Sequence, residues 1–194
     1  MPADHVTNEL DIARAVASGE LPSPSSFGNS KYFRLRISGS GVSYRSKYQE
    51  FVYRPANVWT SPEMVQRVAG LPVIAEHPEK GTLDGRSFFE LVVGICVLGF
   101  VEGDELWAVC RIIDDRAATI LTSGFFDTSP SVTFGPDQNV VIQVDEAPFL
   151  LEREPQFLDH IALLDTSEGN RGVWNRTGDL GLEISEPEKE TENG

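Results

Sequence analysis

FELVVGICVLGFVEGDELWAVCRIID, residues 89–114, is the stretch whose reading decides the fold. Two apolar runs flank the polar tetrapeptide EGDE, which carries a glycine in its turn, so the stretch predicts two long strands folded into a hairpin. Its apolar density places that hairpin at the centre of the core. Cys96 and Cys110, the only cysteines, fall one in each run. Core thiols of an intracellular protein are the expectation for them, and three scattered histidines with no Cys-x-x-Cys supply no metal site.

Upstream, YFRLRIS from Tyr32 and YQEFVYRP alternate as strands around a Gly-rich turn. SPEMVQRVAG reads as a helix, with Ser61 as N-cap, Pro62 at the first helical position and Gly70 as the stop. LPVIAEHP then reads as a short buried strand that ends at His77 and Pro78 and delivers the imidazole to a loop mouth, EKGTLDGRS. Residues 1–30 read as an arm: LDIARAVA forms a short amphipathic helix, and a Pro/Ser/Gly linker follows.

Downstream, DDRAATILTSG predicts a helix capped by Asp114 or Asp115 and closed by Gly124. In FFDTSPSVTF, Asp127, Ser129, Ser131 and Thr133 alternate with Thr128, Pro130, Val132 and Phe134, so both serines share one face of a strand. An irregular acidic stretch separates this strand from FLDHIALLD, a buried strand carrying His160. Mixed strands and two or three helices imply an α+β fold: one domain, residues 31–178, with an antiparallel β-sheet or barrel core and a few flanking helices. Residues 179–194 read as an acidic, disordered tail.

The chain has 194 residues, 40% hydrophobic and 24% charged, enough for one core. A net charge of −14 with dispersed Lys and Arg argues against nucleic-acid binding. No apolar stretch approaches a membrane span, and no basic segment followed by an apolar one opens the chain, so a soluble, non-exported protein with protein partners is expected.

Two of the three histidines lie at the end of, or inside, apolar strands, where an imidazole must find partners or incur a desolvation cost. Each could be a satisfied core histidine. Together with a serine-bearing strand face they also fit a nucleophile and its base.

The order GSGVSYR, EFVYRPANVWTSPEMVQRVAGLPVIAEHP, VVGICVLGFVEGDELWAVCRIID, SGFFDTSPSVTF and FLDHIALLDTSEGNRG, spanning roughly residues 32–172, resembles the prohead proteases of tailed bacteriophages. That family is related to the herpesvirus assemblins, which use histidine, serine and histidine in that chain order. The resemblance implies an assemblin-like fold and a Ser-His-His endopeptidase. Ser129 would be the nucleophile, His77 the base, and His160 the group that orients His77. It implies no cofactor. Its substrates would be the scaffold protein or the scaffold-like arm of the major capsid protein, with the enzyme itself as a further candidate, in the host cytoplasm inside the phage procapsid. Herpesvirus relatives act as dimers, which leaves a homodimer open. A neutral imidazole supports the base less than a carboxylate does, so a slow enzyme is expected.

Pro130 has no N–H to offer an oxyanion, so donors must come from elsewhere. In assemblins an arginine-bearing loop after the last triad member serves, and Arg171 occupies the comparable place. Phage relatives often have Ser-x-Gly where this chain has Ser129, Pro130 and Ser131, which leaves Ser131 as an alternative nucleophile. It also leaves a second function open, a protease-fold scaffolding or capsid-assembly protein without catalysis. Strand alternation points Glu76 and Asp159 away from the adjacent histidines, as structural or solvated groups. Asp127 and Asp165 have no partner that sequence identifies.

Overall fold

Strand-forming runs punctuated by capped helices give sixteen elements in the computed structural model, which describes residues 6–45, 48–124, 126–144, 147–166 and 172. In chain order they are α1 (Glu9–Ser18), β1 (Ser25–Phe27), β2 (Ser30–Gly39), β3 (Gly41–Arg45), β4 (Glu50–Arg54), α2 (Ala56–Trp59), α3 (Pro62–Val68), β5 (Pro72–Ile74), α4 (Gly85–Leu91), β6 (Val92–Glu102), β7 (Glu105–Ile112), α5 (Asp115–Ser123), β8 (Phe126–Thr133), β9 (Val140–Val144), β10 (Ala147–Leu151) and β11 (Phe157–Asp165). No helix among the described residues is long and apolar enough to cross a membrane.

The expected hairpin is β6–β7, turning through Gly103 and Asp104, with Glu102 opposite Glu105. It sits in the middle of a seven-stranded sheet of order β1-β2-β7-β6-β5-β11-β8. The fold is α+β in a single domain, as the alternation implies, but the sheet is mixed: β5 and β11 run parallel. The sheet curls into a half-barrel, because the Thr128 hydroxyl on β8 donates to the Arg36 carbonyl on β2 and Arg36 lies 3.9 Å from Asp127. Inside the curl, Phe33, Leu35, Val73, Cys96, Ile161 and Leu163 form one core with α3 and α5. The contact with α3 is close enough to require a glycine, since a Cβ at Gly99 would stand 2.5 Å from the Val65 carbonyl oxygen. Cys96 and Cys110 face each other across the hairpin, Sγ to Sγ 3.4 Å, as buried free thiols. The thiol contact and burial push Cys110 well above the ordinary thiol range.

Several expectations need correction. The N-terminal segment is not an arm: Asn8 caps α1, and Ile12, Ala13 and Val16 pack against Tyr32 and Val109, while β1 in the linker pairs with β2. Residues 85–91 are helical rather than the end of a polar loop and the start of a strand at Phe89, because Asp84 and Ser87 make a reciprocal capping box that opens α4. The acidic stretch after β8 contains β9 and β10, which complete a second sheet of order β3-β4-β10-β9 with β4 and β10 parallel. Residues 173–194, which include the acidic tail, lie outside the described residues.

A buried ion pair joins the small sheet to the curl. Arg54 on β4, 1% exposed, donates from Nε to Glu152 Oε2 at 2.7 Å and from Nη1 to the Ser38 hydroxyl of β2 at 2.6 Å. Glu152, 0% exposed, also accepts from Arg45 at 2.9 Å, and its carbonyl accepts the Trp59 indole N–H. Burial pulls the Arg54 guanidinium below its ordinary value, and the Glu152 carboxylate opposes that shift. Glu152→Gln leaves a buried cation without its counter-charge and should cost about 3–5 kcal/mol in urea unfolding. A loss below about 1 kcal/mol, the scale of an exposed pair, would show that the network does not hold the sheets together.

Candidate active site

The site forms where β5, β11 and β8 lie side by side. Ile161 pairs with Val73 on one side and Pro130 on the other, and Ala162 pairs with Ile74 and Ser129. Core-facing residues on β8 are Phe126 and Val132, so Ser129 and Ser131 share the outer face, as their alternation predicts. β8 is the last strand of the sheet order, a place where Pro130 can lack an N–H without breaking a ladder on both sides.

His160, 0% exposed, pairs directly with Ser131. Ser129, 2% exposed, is the diagonal neighbour, a relation that spans about 7–8 Å between backbones and lies within reach of a long or aromatic side chain. The register slips between Leu158 and His160. Leu158 and Ile161 therefore both reach the core, and two residues between them, Asp159 and His160, serve the outer side. Strict alternation sends Asp159 away from His160; the bulge reverses this, and Asp159 Oδ2 stands 2.6 Å from His160 Nδ1.

β5 ends at Ile74, short of the expected His77, and the chain bends at Ala75 and Glu76. The following segment runs back over the outer face, fixed at three points. His77 Nδ1 lies 2.9 Å from His160 Nε2, with the rings tilted by 59°. The Ser131 hydroxyl donates to the Gly81 carbonyl at 3.0 Å, and the Leu83 N–H donates to Asp159 Oδ2 at 2.8 Å. His77 is exposed, whereas its partner is sealed.

The two histidines are thus in contact, Ser129 stands on the adjoining strand, and Ser131 is committed to the loop that carries His77. Arg171 lies outside the described residues. The next residue, Gly172, donates its N–H to Asp127 Oδ2 at 2.7 Å and leaves no room for a side chain, since a Cβ would meet the Thr128 carbonyl oxygen at 2.2 Å. Asp127, without a partner legible in sequence, therefore holds Gly172 against β8. Asp165 closes β11 opposite Phe126, and Glu76 is exposed, as expected of a solvated group.

Beside His77 opens a groove of about 490 Å³ lined by Glu76, Glu79, Asp84, Arg86 and Leu91 among others. Lys80 pairs with Asp84 at 3.2 Å and Arg86 with Glu90 at 2.8 Å. Hydrogen bonds from Ser87, first its backbone N–H, and from Lys80 push the Asp84 carboxyl from 3.8 down to about 2. A depressed carboxyl stabilises the fold above its unfolded value and loses that contribution as pH falls through the folded one. The Ser87 amide resonance should accordingly titrate with a midpoint of about 2. A midpoint near the ordinary ~3.9 would mean that the cap does not hold α4 against the groove.

Comparison of the chain with family models, with curated proteins and with solved structures finds no match in any of the three.

Proposed function

We propose that this chain is a serine endopeptidase of the prohead-maturation type, acting through Ser129, His77 and His160. The supporting observation is the 2.9 Å contact between exposed His77 and buried His160, two of the three histidines in the chain, on a sheet face shared with Ser129. A core histidine needs no exposed imidazole as its partner. A base that must meet substrate and be oriented from behind does.

His77 Nδ1 faces His160, so Nε2 is the nitrogen that takes the Ser129 hydroxyl proton as Oγ bonds to the substrate carbonyl carbon. The same nitrogen returns that proton to the leaving amine as the C–N bond breaks. Water then repeats the cycle on the acyl-enzyme, giving the free acid and restoring the serine. Pro130 offers no N–H to the oxyanion, and Arg171 is the residue we assign to it, on the resemblance alone. The substrates are the scaffold protein or the scaffold-like arm of the major capsid protein.

A second reading, a protease-fold assembly protein without catalysis, draws on one observation: Ser129 is only 2% exposed. Mass spectrometry of the chain mixed with the capsid and scaffold proteins encoded beside it separates the two, since discrete cleavage favours the peptidase and intact association the scaffold. Ser129→Ala should lower cleavage by about 10³-fold or more with the fold intact, while Ser131→Ala, which releases only the Gly81 tether, retains measurable activity. A phosphonate should label Ser129; labelling at Ser131 would reassign the nucleophile.

His77→Ala removes the base and should cost about 10²–10⁴-fold, more than His160→Ala, which removes its support. Equal, complete losses with unfolding in both variants would return the pair to a structural role.

A further inference from the structure

Asp159 Oδ2 meets two nitrogens, the Leu83 backbone N–H at 2.8 Å and His160 Nδ1 at 2.6 Å. A backbone N–H can only donate, so this oxygen accepts at Leu83, and a carboxylate oxygen has a second lone pair for His160. His160 Nδ1 then carries its ring's proton, and Nε2 is the acceptor. That Nε2 is the atom facing His77 Nδ1 at 2.9 Å. An acceptor requires a donor, so His77 is protonated on Nδ1 and keeps its lone pair on Nε2. One carboxylate sets the tautomers of two rings in series.

We propose that Asp159 is a positioning residue of the site. Through His160 it holds His77 in the tautomer whose Nε2 can take the serine proton, and its negative charge offsets the cation that the two rings share once that proton arrives. The surroundings favour this role. The His160 side chain is 0% exposed and that of Asp159 8%, so solvent screens their interaction little. The support that a neutral second imidazole lacks is thereby supplied one residue further back, and the relay is Ser129, His77, His160, Asp159. The catalytic half of this inference rests on the peptidase reading; the tautomeric half rests on the hydrogen-bond geometry alone.

The rival role for Asp159 is purely mechanical, an anchor for the loop at Leu83. Two substitutions separate them. Asp159→Asn can keep an oxygen toward both N–H groups and removes the charge. Asp159→Ala removes oxygen and charge together. The full chain with ¹⁵N-labelled histidine is observed by NMR at a pH above the histidine range. Both rings should carry the proton on Nδ1 in the wild type and in Asp159→Asn, whereas Asp159→Ala should shift His160 toward protonation on Nε2. In cleavage assays Asp159→Asn should lower kcat by about tenfold or more with little change in KM, since charge support is felt only in the transition state.

A wild-type His160 or His77 protonated mainly on Nε2 overturns the proposal, as do unchanged tautomers in Asp159→Ala. Full kcat in Asp159→Asn leaves only the mechanical anchor and overturns the charge role. If Asp159→Ala unfolds, the wild-type spectrum and the Asn variant still decide. If the wild type cleaves none of its neighbours' proteins, the peptidase reading fails, while the spectra still decide the tautomeric half.

Discussion

The register of β11 is the constraint on which the site and much of the core depend. This strand lies between β5, which runs parallel to it and leads into the His77 segment, and β8, which carries Ser129. Ile161 and Leu163 fix its inner face in the core. With that face fixed, a period of two leaves the outer residues no choice of direction. The slip before His160 adds one departure, a bulge that lets Leu158 stay inside while Asp159 and His160 both serve the outer side. A bulge in such a position is expected beside a functional site, where it re-aims a side chain that strict pleating would misplace.

Fixing β11 is useful only if the segment after β5 is held down on it, and the tethers that do so are polar. Ser131 with Gly81 and Asp159 with Leu83 bind backbone groups of a loop that has few apolar side chains to bury. Each hydrogen bond contributes about 1 kcal/mol net. Their larger effect is to limit where the His77 ring can go, so the imidazole stays exposed yet is oriented from beneath by a sealed partner. The opposite strategy holds the small sheet, where Arg54, Glu152 and Arg45 are bound by charge among buried groups with Trp59 stacked 3.9 Å from the Arg54 guanidinium carbon. Order there is enforced by the cost of separating the charges.

Sequence made the parts with strong local signals legible. The β6–β7 hairpin declared itself by two apolar runs around a Gly-bearing turn, α3 by Ser61 and Pro62, and α5 by Asp114 and Gly124. The shared face of Ser129 and Ser131 followed from strand alternation alone. What escaped needed longer-range or finer information. α4 opens at a capping box of Asp84 and Ser87 that lies inside a polar, glycine-bearing loop, and the apolar run that begins at Phe89 has the composition of a strand. β10 is a strand because β4 lies beside it in parallel, a partner nearly a hundred residues earlier that no local pattern announces. The contact of Asp159 with His160 is not legible in sequence, because unbroken alternation sends it to the opposite face and a bulge in a short strand leaves no mark in composition. The N-terminal helix was recognised, but its docking was not: an amphipathic face does not say which surface receives it.

The two serines show how a shared face can still divide labour. A nucleophile must release its proton to an imidazole, and a hydroxyl already donating to a carbonyl has that proton engaged. Ser131, although directly across from His160, donates to Gly81. His160 in turn has one ring nitrogen toward Asp159 and the other toward His77, which leaves it no nitrogen for a serine. The base in the peptidase reading is therefore the exposed ring, and the serine it serves has to be the one not used to fasten its loop. Within that reading, the condition favours Ser129 over Ser131. The Ser131 hydroxyl thereby has a structural partner in Gly81 and, in the peptidase reading, does not compete for the serine proton.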